Sequence, residues 1–283
     1  MNAQAPITEA ADTPPDRPDT SEAPGATVSY AYAVSRAGTA LDTTAPQLTG
    51  LEGRPLRTVV SGGLAALVSS VPAGMYSEEG MKAQLGNLSA LEVIARTHHA
   101  VVDAAYARTT ALPMRLATVY RDDARVRSML RERGAAFVEL LSWLEGHVEL
   151  GVKIYADPRE AATEAPSPAS VSPGRAYLQR RRAQQRSQRD VYRAAGAVAA
   201  DIPGRVAAVA RARCAHRPQQ GELASGAGEN ITNDAYLVPA ERTTEFRQVL
   251  AGLADGVPGV RIEITGPWAP YSFATPPAAG GSA

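Results

Sequence analysis

The chain has 283 residues, a length typical of two domains or of one large domain. Its 29 Lys and Arg side chains balance 29 Asp and Glu side chains, so no overall charge attracts it to nucleic acid or to a membrane surface. Apolar residues make up 45% of it, which excludes wholesale disorder, and the single cysteine, Cys214, excludes an internal disulfide framework and a cysteine-based zinc site.

Residues 1–26 are predicted to form a disordered acidic tail. They carry five carboxylates against the single Arg17, contain several prolines and lack the apolar core of a signal peptide. No segment of the chain reaches the ~18–20 continuous apolar residues of a membrane helix. The composition therefore favours a soluble, cytoplasmic protein.

Residues 27–121 are predicted to form an N-terminal α+β domain, because the apolar period changes between two and 3.6 residues along them. Gly62 and Gly63 separate two apolar runs and predict a hairpin turn. In chain order, the patterns predict a strand at 28–34, a loop over 36–55, hairpin strands at 56–60 and 64–69, a helix from Ser77, a helix over 88–108 and a strand over 111–120.

Residues 122–275 are predicted to form a second α+β domain, and residues 276–283 a flexible tail. The patterns predict helices over 122–133 and 135–144, a strand over 148–155 and a linker over 157–174. A long helix over 175–215 follows, and Pro203-Gly204 is the place where it could break. After it come a polar stretch over 216–230, a strand at 235–238, a helix over 241–253 and a strand at 260–265. Strands interspersed with helices, some of them paired antiparallel, indicate an α+β fold of two sheet-plus-helix units.

Motifs for catalysis or cofactor binding are absent from the sequence: it contains no Walker A loop, no G-x-S-x-G elbow and no H-E-x-x-H. His98 lies on an apolar helix face, where it is either a base or ligand or a buried, hydrogen-bonded histidine. The lack of a nearby carboxylate or nucleophile favours the buried histidine. Cys214, close to Arg213, is either a thiol of lowered pKa or an inert one, and the inert thiol is favoured. We therefore predict no catalytic residue, no cofactor and no metal.

Residues 175–217 form a strongly basic segment. They hold eleven Arg against Asp190 and Asp201, a formal charge of +9, and the consecutive Arg180, Arg181 and Arg182 cannot share one helix face. Two interpretations stay open: a docking surface for an acidic partner or phosphate, and a solvated face partly neutralised by the acidic tail or by other carboxylates. Nucleic-acid binding ranks below both, because the segment lacks interleaved aromatic residues.

The end of the folded region is unusually aromatic. Residues 264–273 read Ile-Thr-Gly-Pro-Trp-Ala-Pro-Tyr-Ser-Phe, with two prolines and three aromatic residues in a chain that is only 5% aromatic. Trp268, Tyr271 and Phe273 are large apolar anchors. They would attach this segment to a groove, either within the chain or on a partner.

This ending closely resembles the T-G-P-W-P-P-Y-S-F ending of the GvpF/GvpL family of gas vesicle proteins. Further stretches resemble family motifs in the same order: Tyr30–Val34 the opening strand, Gly63–Ser69 the G-L-x-A-V-V-S strand, His98 with Val101 and Val102 the helix histidine, Leu112–Arg115 with Thr118 the L-P-x-R-F-G-T motif, Glu149–Lys153 the E-x-G-V-K strand, Gly174–Arg181 the G-x-x-Y-L-x-x-R motif and Tyr236–Val238 the Y-L-V strand. The resemblance runs from about residue 28 to 274. Leu116-Ala117 stands where the family has Phe-Gly.

The resemblance implies two α+β domains, the second of a modified ferredoxin-like kind, and no enzymatic activity. It also implies an accessory or minor structural protein, located at the gas vesicle in the cytoplasm. Such a protein binds the hydrophobic shell protein and other accessory proteins, and needs neither nucleic acid nor a membrane.

The candidate partner-binding residues are Arg115, Lys153, Arg180, Arg181, Trp268, Tyr271 and Phe273. For Arg115 and Lys153 the alternative is an internal ion pair, for which Glu149 lies on the same strand face as Lys153. For the three aromatic residues the alternative is internal packing. The alternative function is a nucleic-acid-binding or regulatory protein that acts through the Arg-rich helix 175–217.

Overall fold

A computed structural model describes residues 25–163, 173–218 and 228–275. Two antiparallel sheets with helices packed on their faces make up this part of the chain, so the predicted α+β class is confirmed. Nearly all of the predicted acidic tail, 1–26, and the whole predicted C-terminal tail, 276–283, lie outside the described residues. None of the described helices is long and apolar enough to cross a lipid bilayer.

The first sheet is formed by the N-terminal part of the chain. Its strands are β1 (Thr27–Arg36), β2 (Leu56–Ser61), β3 (Leu64–Pro72), β4 (Ala111–Pro113) and β5 (Val119–Tyr120). They lie in the order β2-β3-β1-β4, and β5 pairs with β1 as well. The β2–β3 hairpin is confirmed, and its turn uses positive φ angles of 61° at Gly62 and 77° at Gly63, as a tight hairpin turn requires.

The predicted strand over 111–120 is wrong in its middle. The chain turns between β4 and β5, and Ala117 adopts a left-handed backbone conformation with φ 66°. The Thr118 hydroxyl donates to the carbonyl of Arg115 over 2.6 Å and closes this turn. The residues of this turn, 114–118, are called the Arg115 turn below.

Four helices lie in the same part of the chain: α1 (Thr39–Thr44), α2 (Ala73–Tyr76), α3 (Glu78–Leu85) and α4 (Leu88–Tyr106). Of these, α1 falls in the predicted loop. As predicted, Ser77 caps α3, and its hydroxyl accepts from the N–H of Gly80 over 3.4 Å. The buried side chains of α4 recur at helical spacing: Ile94, His98, Val101, Val102 and Ala105.

A bulge in β1 sets which of its side chains face α4. The register shifts between Ala31 and Ala33, so that Tyr30, Tyr32 and Ala33 all pack in the cluster that contains α4. Ala31 packs in a second cluster on the opposite face of the sheet.

The second cluster connects the two sheets. It contains the buried faces of α5 (Asp123–Glu132) and α6 (Gly134–Leu144), among them Leu130 and Phe137. It continues to Ala235 and Leu237 of the second sheet. The two helices thus share one apolar core with both sheets. The division of the chain at residues 121 and 122 stays a prediction.

The second sheet has the predicted ferredoxin-like arrangement. Its strands β6 (His147–Ala156), β7 (Ala212–His216), β8 (Glu229–Pro239) and β9 (Val260–Trp268) lie in the antiparallel order β7-β8-β6-β9. With α8 (Pro173–Val206) and α9 (Thr243–Leu250) the chain order is β-α-β-β-α-β, the split βαβ motif. A short helix, α7 (Pro158–Thr163), occupies the start of the predicted linker.

Helix α8 has 34 residues, and at 1.5 Å per residue it is about 51 Å long. It continues through Pro203 but ends at Val206, so the predicted helix over 175–215 is wrong beyond that point. Residues 212–216 are instead strand β7, because Ala212 and Cys214 pack toward the shared core while Arg213 pairs with Asp234 over 2.9 Å.

Candidate partner-binding surfaces

The aromatic ending begins at a bulge inside β9, where Gly266 and Pro267 separate the paired residues Thr265 and Trp268. Gly266 has φ 98°, and a Cβ there would lie 2.7 Å from the carbonyl oxygen of Glu149. Arg247 of α9 donates to the carbonyl oxygens of Ile264 and Gly266 over 3.4 and 2.8 Å. These contacts fix the start of residues 266–274, called the aromatic segment below.

Glu149 holds the far end of the aromatic segment. Its carboxylate accepts the backbone N–H and the hydroxyl of Ser272, each over 2.8 Å. Burial raises the pKa of Glu149, while the Ser272 hydrogen bonds and the charge of His216 lower it. The sequence offered an ion pair with Lys153 as one alternative for this carboxylate, and the structure shows its two hydrogen bonds to Ser272.

His216, Ser272 and Glu149 form a cluster of histidine, serine and carboxylate, but the directions of their hydrogen bonds do not activate the serine as a nucleophile. The Nε2 of His216 lies 2.8 Å from Oγ of Ser272. Since the hydroxyl proton of Ser272 points to Glu149, Nε2 donates to Ser272 rather than accepting its proton. The geometry is that of an anchor for the backbone.

The three predicted aromatic anchors differ in exposure. Phe273 is buried in the shared core, with its ring centroid 5.8 Å from that of Trp143. Tyr271 is half-buried and stacks on His99 at 5.7 Å. Trp268 lies 5.3 Å from His99, and 41% of it is exposed. Phe273 and Tyr271 therefore attach the segment to its own chain, and Trp268 presents a free aromatic face.

His98, the neighbour of His99, holds the Arg115 turn. Its Nε2 donates to the carbonyl of Met114 over 3.1 Å, so Nδ1 accepts from the Tyr30 hydroxyl over 3.0 Å. The Tyr30 oxygen accepts in turn from the N–H of Ala117 over 3.1 Å. Burial lowers the pKa of His98 to about 4. The prediction of a buried, hydrogen-bonded histidine is confirmed.

Arg115 and Lys153 lie in different places. Arg115 is exposed and forms no ion pair with any residue that the structure describes. Lys153 is half-buried in β6, opposite Asn233 of β8 and Glu263 of β9. Because Val152 packs against α8, the alternation of the strand places Lys153 on the other face of the sheet. Lys153 and the arginines of α8 therefore do not form one site.

The basic segment divides between two elements. Arg181, Arg182, Arg186 and Arg189 are exposed on α8, and none of them pairs with an acid within the described ranges. The side chains of Arg175 and Arg180 lie outside the described residues. The remaining arginines fall at other positions: Arg193 pairs with Asp190, Arg205 with Asp201, and Arg211, Arg213 and Arg217 follow the end of the helix.

Cys214 is not an activated thiol. It is half-buried in β7, and burial raises its pKa, with further contributions from the charges of Glu149 and Asp234. The alternative of a lowered pKa is wrong, because burial, the largest cause, and the two carboxylates all raise the pKa of this thiol.

A comparison with known proteins decides the family. The family model described as "Gas vesicle synthesis protein GvpL/GvpF" matches residues 28–275. The chain belongs to the GvpL/GvpF family of gas vesicle proteins. The curated "Gas vesicle protein L" of Streptomyces sp. (strain CB03234) is 41% identical to it over 249 residues, which cover 87% of this chain and 92% of that protein. The resemblance found in the sequence is thus confirmed.

Two solved structures share the fold of this GvpL/GvpF-family chain. The crystal structure of GvpF from Anabaena sp. PCC7120 superposes with a TM-score of 0.60 at 19% identity, over 91% of this chain and 100% of that chain. GvpF from Microcystis aeruginosa gives 0.58 at 18% identity, over 88% of this chain and 99% of that chain. Both sheets and the aromatic segment lie in the matched family region.

Sequence reasoning about this GvpL/GvpF-family chain missed the partners of the aromatic segment. Those partners are His99, Trp143 and Arg247. The spacing of His99 and Asp103 indicates their contact within α4, where the carboxylate lies 3.0 Å from Nε2, but it does not indicate the contact of His99 with the aromatic segment. Trp143 and Arg247 come from distant elements, and nothing local in the sequence connects them to this segment.

Proposed function

We propose that this GvpL/GvpF-family protein binds the hydrophobic shell subunit of gas vesicles, assists vesicle assembly in the cytoplasm without a catalytic step, and contacts other accessory proteins. Family membership supports a gas vesicle role. A shell subunit that exposes apolar surface before assembly needs a partner that covers this surface and later releases it. The proposed contact is therefore with an apolar face.

The observation that carries this proposal is the exposed face of Trp268. Its backbone is fixed by the contacts of Arg247 and Glu149, and its ring lies against His99. A preorganised aromatic side chain loses little conformational entropy on binding, which is why such residues dominate many interfaces.

The Arg115 turn extends the proposed contact. His98 and His99 are consecutive in α4; the first binds this turn and the second contacts Trp268. The turn presents Leu116, 36% exposed, beside Arg115, which pairs with no acid among the residues that the structure describes. An apolar residue and a cation on a turn held by the same helix as the exposed tryptophan suit a partner that is apolar with an acidic edge.

Co-purification of the tagged full chain with the shell subunit, from nuclease-treated lysate, tests the proposal. Trp268→Ala is expected to reduce retention at least tenfold, as the loss of a central aromatic contact does. Leu88→Ala is the matched control, because Leu88 is 80% exposed at the far end of α4. Thermal unfolding checks that both variants fold. Equal retention of wild type and Trp268→Ala would contradict the proposed site, and no retention of the wild type would contradict direct binding.

The nuclease treatment also tests the alternative of nucleic-acid binding through the basic segment. This alternative predicts retention that disappears with nuclease. Fewer arginines lie on one helical surface than the sequence indicated, because Arg211, Arg213 and Arg217 do not continue the helix and Arg213 is paired with Asp234. The exposed arginines of α8 remain to be explained.

A further inference from the structure

The two halves of α8 have different surroundings. Its C-terminal half buries a stripe against the second sheet, formed by Val191, Ala195, Val198, Ile202 and Val206. Residues 181–190 show no comparable stripe: among their described side chains, Ser187 alone is half-buried and the others are exposed. A helix that is polar on all sides gains no stability from apolar burial.

Charge makes this N-terminal half unusual as well. Arg181, Arg182, Arg186 and Arg189 are exposed, and the only acid among them, Asp190, pairs with Arg193 over 3.0 Å. Arg182 and Arg186 are four residues apart and Arg186 and Arg189 three apart, so the like charges are neighbours on the helix and repel. An anionic partner laid along this surface would remove that repulsion. These four arginines are called the basic face of α8 below.

The chain itself supplies a matching anionic segment. Residues 1–24 contain Glu9, Asp12, Asp16, Asp19 and Glu22 against Arg17, a formal charge of −4 that opposes the four arginines of the basic face. A chain of 24 residues spans up to about 80 Å when extended, which exceeds the ~51 Å length of α8.

We propose that residues 1–24 bind the basic face of α8 in the same molecule. The tether raises the effective concentration of the segment to the order of millimolar, which favours it over the segment of a second copy at micromolar protein. The bound segment shields the arginines from other polyanions, so an acidic partner must displace it. This inference concerns a different surface from Trp268 and does not depend on shell-subunit binding.

A labelling experiment on the full chain tests the contact directly. The single native cysteine is removed by Cys214→Ser, and a nitroxide is attached after Thr13→Cys. The amide signals of 181–193 are expected to broaden severalfold at 50 mM salt and to recover at 0.5 M, because the contact is electrostatic. A sample that mixes labelled, isotope-free chains with unlabelled, isotope-enriched chains is expected to show no broadening. Broadening that appears in the mixed sample as well would assign the contact to a second copy and overturn the intramolecular proposal, and no broadening in either sample would overturn the contact itself.

A competition experiment tests the shielding. The probe is a fluorescent oligoglutamate peptide, and the variant is Asp12→Asn/Asp16→Asn/Asp19→Asn. The variant is expected to bind the probe about tenfold more tightly than wild type at 50 mM salt, with the difference lost at high salt. The matched control, Glu79→Gln/Glu139→Gln/Asp255→Asn, removes three exposed carboxylates that form no ion pair within the described part of the chain. Equal gains in both variants would show an effect of net charge alone and overturn the proposal.

Discussion

The carboxylate of Glu149 accepts two hydrogen bonds from Ser272, a residue 123 positions away in the chain. This contact joins the central strand β6 to the aromatic segment. Phe273, the next residue, packs in the core that both sheets share. The contact therefore fixes the C-terminal end of the fold against the two sheets, and it does so with a group that titrates.

The pH dependence of folding is expected to report this contact. Burial raises the pKa of Glu149 above its usual 4.5, so in the window above pH 4.5 the folded state holds more protons than the unfolded state. By linkage, the Glu149 contribution to stability is then lost as pH rises through the folded pKa. Glu149→Gln, which can still bond both Ser272 groups, is expected to lack this slope in urea unfolding between pH 4 and 8.

The control for this prediction is Glu79→Gln, which removes an exposed carboxylate from α3. Its curve of unfolding free energy against pH is expected to run parallel to that of wild type. If Glu149→Gln also runs parallel to wild type, the carboxylate does not titrate differently in the folded state and the linkage argument is wrong.

His98 is expected to contribute a slope of the opposite sign. Its pKa is about 4 in the fold against 6.5 for a free histidine, because it is buried. Between these values the unfolded state binds a proton that the folded state does not, so stability falls as pH decreases from 6.5 to 4. The full effect is about 3 kcal/mol. His98→Gln is expected to be less stable at pH 7 and to lose this contribution, so that the opposite slope of Glu149 remains between pH 4 and 6.5 in urea unfolding. A slope equal to that of wild type would show that His98 is not the titrating group.

Local patterns were sufficient for most elements of the fold. The β2–β3 hairpin follows from two apolar runs around Gly62-Gly63, and α4 from its helical periodicity. Strand β7 was missed because 212–216 continue an Ala- and Arg-rich helix without a break in composition. Its pairing with β8 is a non-local contact that propensity does not show.

The candidate site was only partly visible in the sequence. Composition alone marked Trp268, Tyr271 and Phe273, because aromatic residues are rare in this chain. The residues that fix this segment come from helices and strands far away in the chain, so their role follows from tertiary packing. Glu149 was placed with Lys153 on a shared strand face, while the structure connects it to Ser272 across the fold.

Ala117 offers a test of backbone strain in the Arg115 turn. Its φ of 66° costs an alanine about 1–2 kcal/mol relative to glycine, and glycine loses part of this gain to the entropy of the unfolded chain. Ala117→Gly, which restores the glycine of the family motif, is expected to stabilise the protein by about 0.5–1 kcal/mol in urea unfolding. The control is Ala100→Gly at an exposed position within α4, where glycine is expected to destabilise by about 1 kcal/mol. A loss of stability in both variants would mean that the turn relaxes around alanine.

Two features of Gly266 require glycine, its backbone conformation and its close approach to Glu149, and experiment can separate them. Its φ is 98°, and an added Cβ would lie 2.7 Å from the carbonyl oxygen of Glu149, a backbone atom that cannot move aside. Gly53 also has a positive φ, 67°, but a Cβ added there would meet no atom within 4 Å.

Gly53→Ala should therefore cost about 1 kcal/mol from the backbone conformation alone. Gly266→Ala should cost at least about 2 kcal/mol more, because the bulge must open and the bonds from Glu149 to Ser272 weaken. Thermal and urea unfolding measure both, and equal losses would show that the close approach to Glu149 does not constrain the aromatic segment.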